Sequence, residues 1–407
     1  MSTEIIQLQA ADFEEAMDFL NLAFSVNGAH DFARLLPLLY RPTERQMNCN
    51  YAIRKKGRIR AVVGLYPLTW QVGAAQLRVA GIGGVATHAN DRGTGLMRTL
   101  MPHCVAQMRA QGYHLSYLGG QRQRYLYFGY ERCGLKTSYS LSRTNLKHCF
   151  AAAPDLHLVP IEADDGESIA RAKALHDAQP VHCLRPLEEF YLHCLSWNSK
   201  PFAGLDGDGR MVGYLVAREG KGDVAEVHAE EDGRALDMAR LWVEREGRAN
   251  FSVHPLNGDL AYDLGRCCEQ AELSASGNWQ IFDWVAVVDA LLKAQHLKVP
   301  LEVERIDATR MVDDLPAMVA QLDEPLADPA SLNVLYISRL AREHGIKVTT
   351  VFPGSVDSDS HRHQGDDGSW KVKPVEVGQA ILDLLKTDAG NCISRLEIRP
   401  LSRPPKS

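Results

Sequence analysis

Apolar positions recur along this chain in two periods, and each change of period marks an element. Phe13, Ala16, Met17, Leu20 and Phe24 fall three and four residues apart. That spacing predicts a helix, with Asp12 and Glu15 as a capping pair at its start. Residues 51–54 and 59–72 read as a hairpin about Lys55-Lys56-Gly57-Arg58, and residues 76–87 as the next strand. Leu96, Met97, Leu100 and Met101 return to helical spacing. Pro102 is expected to kink that helix, because it lacks a backbone donor. A strand over 115–120, a short helix and a strand closing near Leu141 follow. Residues 151–160 read as a linker. Beyond it, residues 202–205 and 210–217 form a second hairpin pattern about Asp206-Gly207-Asp208-Gly209. A strand at 224–229 and a helix at 234–245 complete a fainter copy of the first order.

The most informative junction is residues 82–101, IGGVATHANDRGTGLMRTLM. A strand runs into a loop holding Arg92, Gly93, Thr94 and Gly95, and a helix follows. Glycines let backbone N–H groups close around phosphate oxygens, and the helix N-terminus adds partial positive charge. Arg92 adds a fixed cation with several donors. The glycine spacing is not a dinucleotide fingerprint, and no Gly-Lys-Ser/Thr follows, so a P-loop is excluded. Gly83-Gly84, just upstream, suits a bulge or close approach by a ligand, and equally a plain packing pair.

The run from Thr87 to Met97 resembles motif A of the GCN5-related N-acetyltransferases (GNAT superfamily), Arg/Gln-x-x-Gly-x-Gly/Ala after a strand. Arg92 and Gly95 match it. Met97 stands where the superfamily prefers Gly or Ala, in a Gly-Leu-Met-Arg context similar to the enhanced-intracellular-survival (Eis-like) branch. Tyr125, with Phe128-Gly129-Tyr130, resembles the family's short helix after its fifth strand. The resemblance implies an acetyl-CoA site formed by Val85, Ala86, Thr87, Arg92, Gly93, Thr94, Gly95, Leu96 and Met97, with acetyl-CoA as acyl donor. It implies Tyr125 as the acid that protonates the departing thiolate, a role a neutral phenol can fill. It also implies that the strand carrying Gly83-Gly84 splays from its neighbour to admit pantetheine, and that the region around Leu35 to Leu39 roofs the acceptor pocket. No residue is assigned as the base. Phe128 is expected to pack under the sheet.

The implied fold is α/β, an α+β mixed sheet, with tandem GNAT domains and an atypical C-terminal α/β segment. The expected boundaries are 1–145 for the catalytic domain, 151–280 for a degenerate second copy and 281–407 for the remainder. The second copy's turn, Glu231-Asp232-Gly233-Arg234, carries carboxylates that would repel pyrophosphate. Residues 279–284 resemble the start of the family's sterol-carrier-like third domain. Residues of about 300–347 resemble a fragment of an asparagine-synthetase-type amidotransferase, and those of about 348–400 a short-chain dehydrogenase C-terminus. Neither piece carries its family's ligand loop. Helix patterns at 330–343 and 375–385 and strand patterns at 346–352 and 393–399 predict a small α/β appendage.

Composition narrows the partners. The 407 residues carry a net charge of −6, which gives no footprint for nucleic acid. No apolar run reaches transmembrane length, and no signal peptide is read at the N-terminus. The nine cysteines are an odd number without a Cys-x-x-Cys, which reads as reduced thiols and a cytoplasmic location. His361-Arg362-His363 among aspartates reads as a solvated loop, so no metal is expected. The expected activity is acetyl-CoA-dependent N-acetyl transfer by direct attack of an amine, on a small molecule or a peptide. A homo-oligomer is compatible with it. The alternatives are a non-catalytic CoA- or lipid-binding module, and a nicotinamide-dependent oxidoreductase suggested by the tail.

Overall fold

The computed structural model describes residues 4–25, 28–254 and 258–294, with 313–314, 350–353 and 395–398. The chain divides into two units, 1–301 and 302–407. The first half of unit one runs β1 (Ile5–Gln7), α1 (Phe13–Phe24), α2 (Phe32–Leu35), α3 (Glu44–Met47), β2 (Asn50–Lys55), β3 (Arg58–Val72), β4 (Ala75–Thr87), α4 (Leu96–Ala110), β5 (Leu115–Leu118), α5 (Arg122–Tyr125) and β6 (Glu131–Ser142). There follow α6 (Arg143–Cys149), β7 (His157–Pro160), α7 (Gly166–Asp177), β8 (Val181–Cys183), α8 (Leu187–Cys194), β9 (Lys200–Leu205), β10 (Met211–Ala217), β11 (Asp223–Ala229), α9 (Asp232–Glu246), β12 (Arg248–Val253), α10 (Gly258–Cys267), β13 (Gln270–Ile281) and α11 (Trp284–Ala294).

All thirteen strands join one mixed sheet. Period-two alternation in β2, β3 and β4 separates its two faces. Tyr51, Ile53, Val63, Leu65 and Ile82 meet Leu96, Leu100 and Met101 of α4. Ala52, Val62, Tyr66 and Ala86 meet Met17 and Leu20 of α1 on the other side. The second half has its own core about Phe202, Leu215, Met238, Trp242 and Phe251.

The strand order β4-β5-β13-β6-β12-β11 shows how the two copies combine. β4 pairs parallel with β5, and β11 pairs parallel with β12, as expected of two copies. The last strands are exchanged. β13 pairs with β5 of the first copy, and β6 pairs with β12 of the second. The swapped strands also pair with each other, Gln270 opposite Ser140 through Trp279 opposite Glu131.

Several sequence expectations need correction. Residues 157–160, read as linker, form β7, an edge strand on β9. Asp12 and Glu15 do not cap α1. Their carboxylates clamp Arg54 of β2, each at 2.6 Å, and Glu15 also accepts from the Ile59 amide. The helix runs unbroken through Pro102. The strand expected over 115–120 stops at Leu118. Trp279 lies inside β13, packed against Trp70 and Tyr117, and α11 covers Val72, Leu77 and Val79 through Val287 and Ala290. Residues 279–281 therefore belong to the large sheet, and Trp284 begins α11.

In unit two, β14 (Thr350–Pro353) and β15 (Arg395–Ile398) pair in parallel; β15 lies inside the pattern expected at 393–399, and β14 runs one residue past the one at 346–352. The helix patterns at 330–343 and 375–385 and the His361-Arg362-His363 cluster lie outside the described residues.

Candidate active site

The site begins where β4 outruns β5. Their pairing ends at Ile82 opposite Leu118, yet β4 continues through Thr87, held only by β3 on its other edge. The edge of β4 around Val85, Ala86 and Thr87 therefore opens into a notch. A bulge shapes it: Val62 lies opposite Ala86 and Gly64 opposite Gly83, so β4 holds one extra residue. Gly84 sits in this bulge at φ +58°, and a Cβ there would stand 2.6 Å from the Tyr40 hydroxyl.

The notch leads to the loop before α4. Gly93 and Gly95 are both left-handed, at φ +79° and +89°. Gly95 is the N-cap of α4 and offers no side-chain cap. The amides of Gly93, Gly95, Leu96, Met97 and Arg98 consequently find no acceptor among the described residues. Thr94 turns inward, its hydroxyl donating to the Asp91 carbonyl at 2.8 Å. Arg92 is exposed and forms no ion pair among the described residues. Asp91, the one carboxylate in the loop, is bound by Lys55 at 3.0 Å and Arg60 at 3.5 Å. The hydrogen bond from Lys55 holds its carboxyl below the ordinary range. What remains is a ring of open donors with surplus positive charge, suited to a polyanion such as a pyrophosphate. Met97 does not fill the ring, because its side chain packs on the core beneath α4.

Tyr125 is the last residue of α5, the short helix that follows β5. Its ring lies against Gly120 and packs partly on the α4 core, as does Phe128. Burial raises its phenol, so it stays protonated at neutral pH. Its hydroxyl has no hydrogen-bond partner among the described residues. Asn278 of β13 went unnoticed in the sequence. It is buried, and its amide donates to the carbonyls of Gly120 at 3.0 Å and Leu118 at 3.4 Å, which pins the end of β5. No local pattern could reveal it, since the contact spans the strand exchange.

A cavity of about 510 Å³ opens on the α1 face of the sheet. Leu38 and Leu39 form part of its wall, with Tyr66, Leu68, Leu184 and Pro186. Two of its lining residues touch β4, for Tyr66 lies over Gly83 and Leu68 over Gly81. The loop of open amides and the cavity thus stand on opposite faces of the sheet.

The second copy repeats the splay without the cradle. β11 pairs with β12 only at Asp223 and Val224. Beyond that, Glu226 is bound by both arms of Arg185 and by the Tyr214 hydroxyl at 2.8 Å. Burial would raise the Glu226 carboxyl, but Arg185 overrides it and brings it down to about 2. At the turn, Glu230 is taken by Arg171 and Arg210. His176, Glu226 and His228 bring ligand atoms within 4.8 Å of one another, yet Arg185 already occupies both carboxylate oxygens, so the set does not suit a metal. Among the described residues, no helix is long and apolar enough to cross a membrane.

Known proteins match part of this chain in sequence and in fold. Residues 4–133 match the family model described as an acetyltransferase (GNAT) domain. A conserved protein from Enterococcus faecalis V583, described as a "Probable N-Acyltransferase", is similar at TM-score 0.54 and 14% identity, over 71% of this chain and 75% of its own. A GCN5-related N-acetyltransferase from Kribbella flavida is similar at TM-score 0.53 and 17% identity, over 71% and 73%. Eis1 from Mycobacterium abscessus aligns at TM-score 0.49 and 16% identity, over 71% and 76%. No curated protein matches. Residues 4–133 thus match a GNAT acetyltransferase domain, and the solved structures share the fold of the part of the chain that they cover.

Proposed function

We propose that this chain is an Eis-like, acetyl-CoA-dependent N-acetyltransferase that transfers the acetyl group directly to an amine. The observation that carries this reading is the continuation of β4 past its last pairing with β5, between a ring of unused amides and an apolar cavity. In this reading Arg92 and the amides from Gly93 to Met97 hold the pyrophosphate. The free edge of β4 about Val85, Ala86 and Thr87 orients the thioester carbonyl in the notch. The acceptor occupies the cavity, roofed by Leu38 and Leu39. Its nitrogen attacks the carbonyl carbon as the carbon–sulfur bond breaks, and Tyr125 gives its proton to the departing thiolate.

The test is calorimetric binding of acetyl-CoA to the wild type and to Arg92→Glu. Arg92 is exposed and unpaired, so the substitution disturbs no internal contact among the described residues. It sets an anion beside phosphate, and affinity is expected to fall by about 2–5 kcal/mol, the range for losing one partner of a close charge pair. Unchanged affinity in the folded variant would refute the cradle assignment.

A further inference from the structure

The cavity's charges say which amine it accepts. Four ionic side chains reach its wall, and each already has a counterion. Arg45 pairs with Glu189 at 2.7 Å, Lys173 with Asp177, and Arg185 with Glu226. Glu189 is the sole carboxylate among the lining residues, and Arg45 holds it. No free anion therefore waits for an ammonium group. The rest of the wall is largely leucine, proline and the ring of Tyr66. Bringing an ammonium into such a space strips its hydration without a counter-charge, whereas a neutral amine loses far less.

One wall group keeps an unused lone pair. His193, on α8, is half-buried, lines the cavity and makes no hydrogen bond among the described residues. Burial, reinforced by Arg185, presses its imidazole down to about 4, so it is unprotonated at neutral pH.

We infer that the cavity selects an apolar monoamine, such as an aralkylamine or arylamine, bound in its uncharged form, and that His193 receives the proton it sheds on acetylation. This rests on the acetyltransferase reading above. The nitrogen–carbon bond forms and the carbon–sulfur bond breaks. The thiolate takes the Tyr125 proton, the nitrogen's proton passes to His193 and then to water, Tyr125 regains a proton from water, and nothing is oxidised or reduced. A volume of about 510 Å³ lies within the usual range for small-molecule sites, of which an aralkylamine fills part.

The test uses the full chain. Thiol release from acetyl-CoA is followed with 2-phenylethylamine and with spermidine, and acetyl-CoA binding is measured in parallel by calorimetry. The expected kcat/KM for 2-phenylethylamine is at least about tenfold above that for spermidine, since each added ammonium lacks a partner. Leu184→Trp, which narrows the cavity from its rim, should raise the KM for 2-phenylethylamine about tenfold and leave acetyl-CoA affinity unchanged. His193→Ala should lower kcat about 10²-fold, with partial recovery on adding imidazole, an effect that a packing role would not give. Preference for spermidine, failure to turn over 2-phenylethylamine despite acetyl-CoA binding, or indifference to Leu184→Trp would each overturn the proposal. A kcat loss in His193→Ala without imidazole rescue would overturn the role given to His193. Absence of acetyl-CoA binding to the wild type would instead overturn the underlying reading, and this proposal with it.

Discussion

Gly84 and Gly93 share a backbone conformation but not a neighbourhood, which lets two causes of glycine dependence be separated. Gly84 has φ +58° and Gly93 φ +79°. Alanine at either position enters the left-handed region, at a cost of about 1–2 kcal/mol. At Gly93 nothing lies within 4 Å of the new Cβ, so that is the whole cost. At Gly84 the Cβ would stand 2.6 Å from the Tyr40 hydroxyl. Tyr40 cannot retreat cheaply, because it is buried and packed between Phe32 and Tyr66. Overpacking of this kind adds about 1–3 kcal/mol. Gly84→Ala should therefore destabilise by about 2–5 kcal/mol against about 1–2 for Gly93→Ala. Urea unfolding followed by tryptophan fluorescence measures both. The clash also predicts coupling: in a Tyr40→Phe background, Gly84→Ala should cost about 1 kcal/mol less. The functional effects should diverge. Gly84→Ala displaces Tyr40 toward Tyr66 at the cavity and should raise the acceptor KM. Gly93→Ala puts a methyl group among the open amides and should weaken acetyl-CoA. Equal destabilisation by the two substitutions, with no coupling to Tyr40, would refute the argument.

Tyr125→Phe should lower kcat about 10²-fold while acetyl-CoA affinity stays close to wild type, and equal losses in both would assign Tyr125 to packing. Stability should also decline in two acid phases, followed by fluorescence against pH. His193 and His228 are held near 4 by burial, below the ordinary 6.5, so the unfolded chain takes up protons that the fold refuses and stability drains between about pH 6.5 and 4. Glu226 lies at about 2 against an ordinary 4.5, so its contribution, roughly 3 kcal/mol, is intact above about pH 4.5 and lost toward pH 2. Glu226→Gln should shrink the second phase, leaving the part carried by other lowered carboxylates such as Asp91, and an unchanged amplitude would show that Glu226 does not contribute.

What the sequence disclosed was local. The alternation in 51–87 and the helical spacing of Leu96, Leu100 and Met101 gave the first hairpin, β4 and α4, because one buried face imposes one period. The loop of Arg92, Gly93, Thr94 and Gly95 was legible for the same reason, since its chemistry lies in a few consecutive backbone groups. What escaped was long-range. β13 reads QAELSASGNWQI, and its apolar positions do alternate, from Ala271 and Leu273 to Trp279 and Ile281, but its place between β5 and β6 joins segments far apart in the chain and leaves no local mark. Arg185 and Glu226 carry no signal at their own positions, as 41 residues separate them. Asp12 and Glu15 had the spacing of a cap, but Arg54 arrives from the hairpin and competes for both carboxylates.

The strand exchange explains why a copy without a working cradle persists. β5 is four residues long, and its free edge would expose unpaired backbone at the mouth of the notch. β13 covers that edge, and Asn278 fixes the carbonyls of Leu118 and Gly120, from which the chain turns toward Tyr125. β6 in turn covers β12, Arg248 opposite Ser142 through Val253 opposite Thr137. Neither half of the sheet is complete without the other copy's last strand. Carboxylates stand where the second cradle would lie, Glu226 on β11 and Glu230 and Glu231 at the turn before α9, so that turn does not suit an anion. Its scaffold could not be lost in the same way, since removing β13 would unfasten the end of β5 on which the geometry of the first site depends.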